Sequence, residues 1–216
     1  MRHITTAIER CRDLPHAFAV HRVPFFLEPS YLDEPEDFRE SHTDRMVRKF
    51  GSLEAFERFK ASHGLVPRAG EVGLGWTEEA LGARVQSATL RSQRLVQWAA
   101  HRHSLAAAEA LYAGLSRRHF TEGAALNDTS VLADVAVEAG LERQSALAFL
   151  ASEEGTDEVL AAFERTTQLG IHSIPTLVVD GRIVLSGAAR ADEVEKALRG
   201  LGTPSGNQLF ADCLAF

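Results

Sequence analysis

Between Pro35 and Gly170 the apolar positions recur almost wholly at the three-to-four-residue spacing of helices, whereas on either side they also follow extended chain. Ile4 and Ile8 share one face of a short helix over 5–11. Residues 17–26 then partly alternate, with Phe18, Val20, Val23, Phe25 and Phe26 supplying β-branched and aromatic side chains, and predict a strand ending near Pro24. Pro29, Pro35 and the acids between them mark a loop.

The helical block predicts helices over 38–50, 53–62, 77–87, 89–101, 105–119, 131–139, 144–151 and 157–169. Gly51 and Gly64 are suited to left-handed caps, and Thr156 to an N-cap with Asp157 and Glu158 in the positive first turn. The glycine-rich stretch 66–76 fits no phosphate-binding spacing and reads as a surface connector. No period of 20–50 residues repeats, which argues against a solenoid.

After Gly170 the period changes. Residues 176–179 and 182–185 are β-branched runs separated by Asp180-Gly181, the pair favoured in a type I′ hairpin turn. A last helix is predicted over 191–199, with Val194 and Leu198 facing inward and Gly200 as its stop. The final residues, among them Leu209, Phe210, Leu214 and Phe216, are unusually apolar for a tail. A small sheet interrupted by a helical insertion explains this order best.

Composition narrows the function. The 216 residues carry 23 basic and 30 acidic side chains, a net charge of −7, which speaks against nucleic acid as the main partner. No apolar run is long enough to span a bilayer and the first residues lack a secretory h-region, so no membrane partner and a cytoplasmic location are expected. The sequon at Asn127 reads as a helix start rather than a glycan site. The two cysteines, Cys11 and Cys213, lie at opposite ends, so there is neither a disulfide scaffold nor a C-x-x-C.

The stretch from Leu169 to Ala188, with Ile171-His172-Ser173-Ile174-Pro175-Thr176 entering the hairpin and Leu185-Ser186-Gly187-Ala188 leaving it, resembles the cis-proline segment of DsbA-like oxidoreductases of the FrnE type. Arg22 to Pro29 resembles their second strand and following loop. Thr89, Arg94-Leu95 to Trp98-Ala99, Phe120 to Gly123, Leu132 and Gly140-Leu141 resemble their helical insertion. The matches run in order over about residues 1–200. The resemblance implies an α/β, thioredoxin-like fold: residues 1–34 and 157–200 form the thioredoxin-like domain, 35–156 an all-helical insertion and 201–216 a tail. It also implies a cis Pro175 and an Ile174 whose backbone pairs with extended thiol- or disulfide-bearing substrates, with His172 near the groove.

The family's first strand and its C-x-x-C precede the helix that here occupies 5–11. The chain is therefore expected to be an incomplete form without the first strand and without catalytic residues. Cys11 is no substitute, because the negative end of its helix opposes a thiolate, and it reads as a partly buried bystander. Cys213 matches no family position. Without a strand between them, 18–26 and 176–179 would stand about 9–10 Å apart. Each unpaired buried backbone group would cost roughly 1–3 kcal/mol. Repair by direct pairing of the flanks, or by insertion of 209–216, are the alternatives.

The chemistry left over is sparse. The nine histidines, at 3, 16, 21, 42, 63, 101, 103, 119 and 172, match no metal-binding spacing and read as surface or locally bonded. Ser92-Gln93 stands where the family often has Ala-His. The acids over 33–40 read as a solvated helix entry. No cofactor or metal is expected. Three functions stay open: a DsbA-like oxidoreductase family protein inactive as written, a relative of glutathione-using kappa-type transferases or 2-hydroxychromene-2-carboxylate isomerases, and a redox-dead peptide-binding module. Oligomeric state is not encoded in any pattern found.

Overall fold

The computed structural model describes residues 2–63, 65–71 and 73–201. It is mostly helical, with little sheet. Two compact units emerge. One holds the residues up to Leu27 and those from Asp157 onward; the other is Glu28–Thr156.

The first unit is built on a hairpin. Strand β3, Thr176–Val179, pairs antiparallel with β4, Arg182–Ser186, in the register Thr176↔Ser186 to Val179↔Arg182, with a bulge between Leu177 and Val178. Asp180 and Gly181 have φ of +50° and +76°, the two positive values a type I′ turn demands. Helix α1, Arg2–Arg10, and helix α11, Ala191–Arg199, bring Ala7, Val194 and Leu198 into a small core with Cys11, against which Leu177, Val179 and Leu185 pack. A carboxylate oxygen of Glu193 accepts from Arg190 N–H at 2.7 Å, closing the first turn of α11.

The strand expected over 17–26 is not formed; no ladder bond holds these residues. Their side chains have the composition of a strand, but a strand exists only beside a partner, and among the described residues none lies alongside. Packing holds the segment instead: Pro24 and Phe26 are buried, and Phe25 and Phe26 meet Phe163 edge-on at 5.6 and 5.0 Å. Direct pairing of 17–26 with β3 is thus not the repair. Insertion of 209–216, the cap at Gly64 and the setting of Cys213 lie outside the described residues.

The second unit is a helical bundle around α6, Leu90–Arg102; α7, Leu105–Glu122; α8, Thr129–Glu138; and α9, Arg143–Leu150. Leu95, Ala99, Leu111, Leu132, Val135 and Phe149 fill one core, where Trp98 stacks on Phe149 at 5.3 Å. A Cβ on Gly114 would meet Val135 Cγ1 at 2.6 Å, so glycine lets α7 and α8 approach. Arg94 is buried here with its guanidinium over the Phe149 ring, and it donates to the carbonyls of Ser152 and Glu154.

The insertion is not all-helical. Residues 39–41 and 85–87, expected within helices, form strands β1, Arg39–Ser41, and β2, Val85–Ser87, paired antiparallel. Contacts distant in sequence fix them: Asn127 Nδ2 donates to the carbonyls of Glu36 and Phe38, and Leu126 N–H donates to Ser87 Oγ. Asn127 is consequently buried, and Asp128 caps α8 by accepting from Ser130 and Val131 N–H. Helix α2, His42–Phe50, ends at a left-handed Gly51 and is followed by α3, Leu53–His63.

The expected surface connector over 66–76 contains a helix, α4, Leu65–Glu71. Its Pro67 sits in the first turn, where a missing N–H costs nothing, and Ala69 is buried. Helix α5, Glu78–Ala83, is capped by Thr77. Helix α10, Thr156–Gln168, begins at Thr156 rather than being capped by it.

Candidate functional site

Chain direction reverses sharply after α10. Gly170, with φ of +73°, takes the turn that side-chain-bearing residues resist, and Ile171 is buried with its N–H donating to Thr166 O. The next four residues, His172, Ser173, Ile174 and Pro175, are all exposed. Three hydrogen bonds shape the turn they form. Thr176 Oγ1 donates to Ser173 O at 2.8 Å, Gly187 N–H donates to Pro175 O at 2.8 Å, and the Ser173 and Ser186 hydroxyls meet at 3.3 Å. The Ile174–Pro175 peptide bond is cis.

This bonding pattern leaves Ile174 free. Neither its N–H nor its C=O is hydrogen-bonded among the described residues, and its side chain is 46% exposed. The turn therefore displays a backbone donor, a backbone acceptor and an apolar side chain at the head of β3, the set that an extended chain engages when it adds to a sheet edge. Of the three residues singled out by resemblance, Ile174 and Pro175 adjoin in this turn. His172 sits two residues earlier, solvent-exposed and without a partner among the described residues.

Cys11 is far from being a displayed thiol. It is 1% exposed, sealed among Ala7, Val194 and Leu198, and more buried than the partly buried setting expected for it. Among the described residues no group of three or more histidine, cysteine or acidic side chains converges as metal ligands, and no helix is long and apolar enough to cross a membrane.

A second polar constellation, in the helical unit, escaped the reading of the sequence. His42, expected to be a surface or locally bonded histidine, is buried in the first turn of α2, with its ring edge-on to Phe56. Its ring nitrogens lie 3.2 and 3.4 Å from Arg84 Nη2, and Gln86 Nε2 is 3.3 Å from Nδ1. Burial, then the charges of Arg84, Arg45 and His119, push its pKa down to about 4. Arg84 lies over the Phe120 ring, and burial lowers its pKa to about 10. Burial likewise lowers His119, whose Nδ1 is 3.0 Å from Ala124 O. The signal was not periodic: three segments separated by some forty residues each supply one or two polar groups.

The acids over 33–40 are only partly solvated. Glu40 accepts from Arg48 and from Tyr31, and Glu36 from Arg91. The Arg48 guanidinium holds the Glu40 carboxyl below the usual range, while burial and that carboxylate push the Tyr31 phenol up to about 12.

No curated protein matches the chain. A crystal structure of a probable DsbA oxidoreductase from Streptomyces coelicolor is similar over 91% of this chain and 82% of its own, with a TM-score of 0.73 and 27% identity. The model of the DSBA-like thioredoxin domain matches residues 18–199, and the chain belongs to that family.

Proposed function

We propose that this chain is a DsbA-like protein of the FrnE type that docks extended thiol- or disulfide-bearing peptides, and that as these 216 residues stand it performs no dithiol exchange. The observation that carries the reading is the exposed cis turn, whose Ile174 has an unengaged N–H and C=O at the head of a strand. An incoming peptide pairs with Ile174, Pro175 holds the turn open to it, and His172 borders the docked chain. Thiol–disulfide exchange needs a thiolate that can reach a substrate sulfur. The sequence has no C-x-x-C, and Cys11 is sealed in a core.

The test pairs an insulin-reduction assay with binding of a fluorescent cysteine-containing peptide. The 216-residue protein should show no turnover while binding the peptide, and Ile174→Asp should weaken binding about tenfold, or roughly 1.4 kcal/mol. Turnover that survives replacement of either cysteine, or peptide binding indifferent to Ile174→Asp, would overturn the proposal. Saturable glutathione binding without peptide binding would place the chain with the kappa-type transferases instead.

A further inference from the structure

We infer that the helical unit contains a binding site for a small oxyanion, held by the guanidinium of Arg84 together with Arg45, His42 and His119. The argument begins with charge balance. A guanidinium taken out of water is normally matched to a carboxylate, because unpaired interior charge is costly. Elsewhere in this unit each such group is matched: Arg45 meets Glu28, Arg48 meets Glu40, Arg91 meets Glu36, Arg117 and Arg118 meet Glu122 and Glu138, and the buried Arg94 is held by two backbone carbonyls, those of Ser152 and Glu154.

Arg84 departs from it. Its Nε donates to Leu81 O, its Nη2 lies against the His42 ring, and its Nη1 has no hydrogen-bond partner among the described residues. No carboxylate among the described residues pairs with it, and Phe120 covers one face. The groups that act electrostatically on His42 are all cationic or able to become so: Arg84, Arg45 and Lys60, with His119 from α7. Arg45, one turn along α2 from His42, adds a buried Nε donor with no partner despite its ion pair to Glu28.

The cluster thus has donors and positive charge in excess and lacks an acceptor. An oxyanion supplies what is missing, since the planar fork of an arginine matches two oxygens of a carboxylate, sulfate or phosphate. Gln86 is placed to orient the His42 ring behind it. This site lies within Glu28–Thr156 and shares no residue with the Ile174 turn.

The experiment titrates the full chain with inorganic phosphate and, separately, with sodium benzoate at pH 7. Sodium chloride at equal ionic strength serves as the control, and both melting and amide NMR shifts are recorded. At about ten times the Kd the melting midpoint should rise by about 4 °C, and perturbed amides should cluster at 42–46, 84–86 and 119–120. Phosphate acting alone identifies an inorganic ligand, and benzoate acting alone or more strongly an organic acid; either supports the site. Arg84→Met should abolish the response. If that variant does not fold, Arg84→Lys, which keeps the charge and loses the planar fork, should weaken binding several-fold, and an unchanged Kd would overturn the inference. No response above the chloride control, or shifts scattered over other surfaces, would overturn the inference.

Discussion

The two units place opposite demands on the same physical resources. The helical unit buries its apolar side chains in a continuous core running through four helices, and it can afford to carry a buried arginine and a buried histidine within it. The hairpin unit closes on a handful of small side chains between α1, α11 and one face of β3 and β4, while Ile183 on the sheet remains 49% exposed. A deep core tolerates polar groups because surplus burial offsets them. A shallow one has less burial to offset them and depends on backbone geometry, here the Asp180-Gly181 turn and the cap at Arg190.

Truncating one core leucine in each unit tests that contrast most severely. Leu132 is fully enclosed, and Leu132→Ala should cost about 4 kcal/mol, near the upper part of the range for cavities that cannot relax. Leu198 faces a smaller core bordered by partly exposed neighbours, so Leu198→Ala should cost about 2–3 kcal/mol. Urea midpoints at constant m-value measure both. Equal losses, or a larger one at Leu198, would show that the hairpin core is no shallower than the helical one.

The same contrast explains what could be read from the sequence. The hairpin, its turn and α11 were legible to within a residue because each is specified by neighbours in the chain: β-branched runs, Asp180-Gly181, and Val194 four residues from Leu198. Residues 17–26 misled for the converse reason. Their local chemistry is that of a strand, but pairing is a property of two segments and no partner lies alongside among the described residues. The ladder of Arg39–Ser41 with Val85–Ser87 was invisible because it joins segments over forty residues apart at the ends of helical patterns. Helix α4 was hidden behind Pro67 and Gly70, residues whose unfavourable propensity burial of Ala69 helps to outweigh. The Ile174 turn was legible through its proline and its family resemblance; the His42 and Arg84 constellation, having no motif, was not.

Acid should separate the units next. Unfolded His42 takes a proton near 6.5 and the folded residue only near 4, so between those values the unfolded chain binds more protons and stability falls as the pH falls. The loss should reach about 2 kcal/mol by pH 4, a figure reduced for partial screening. Glu40, whose carboxyl is held below 4.5 by Arg48, adds a further loss only at lower pH. Protection factors, corrected for the slower intrinsic exchange in acid, should fall between pH 6.5 and 4.5 in α2, α3 and the short ladder, with β3 and β4 keeping theirs. His42→Gln should flatten the dependence. A uniform fall in protection through both units would remove the histidine from the explanation.

The smallest effect probes the shallow unit's reliance on its backbone. Gly181 has φ of +76° beside Asp180 at +50°, and in a type I′ turn both central residues must be left-handed. Aspartate tolerates that region, whereas alanine pays about 1–2 kcal/mol to enter it. Gly181→Ala should therefore destabilise by about 1 kcal/mol, the low end, because the turn is short and partly exposed. Exchange should quicken at Val179 and Arg182, which close the turn. Gly51→Ala is the matching change in the helical unit, at a φ of +81° with open space around the Cβ. It carries the same local strain at a helix end, so its cost should be similar. Its effect on exchange should stay within α2 and not reach the core of α6 to α9, whereas the Gly181 change should reach Leu177 and Leu185, since the strands those residues sit on are the wall of the shallow core.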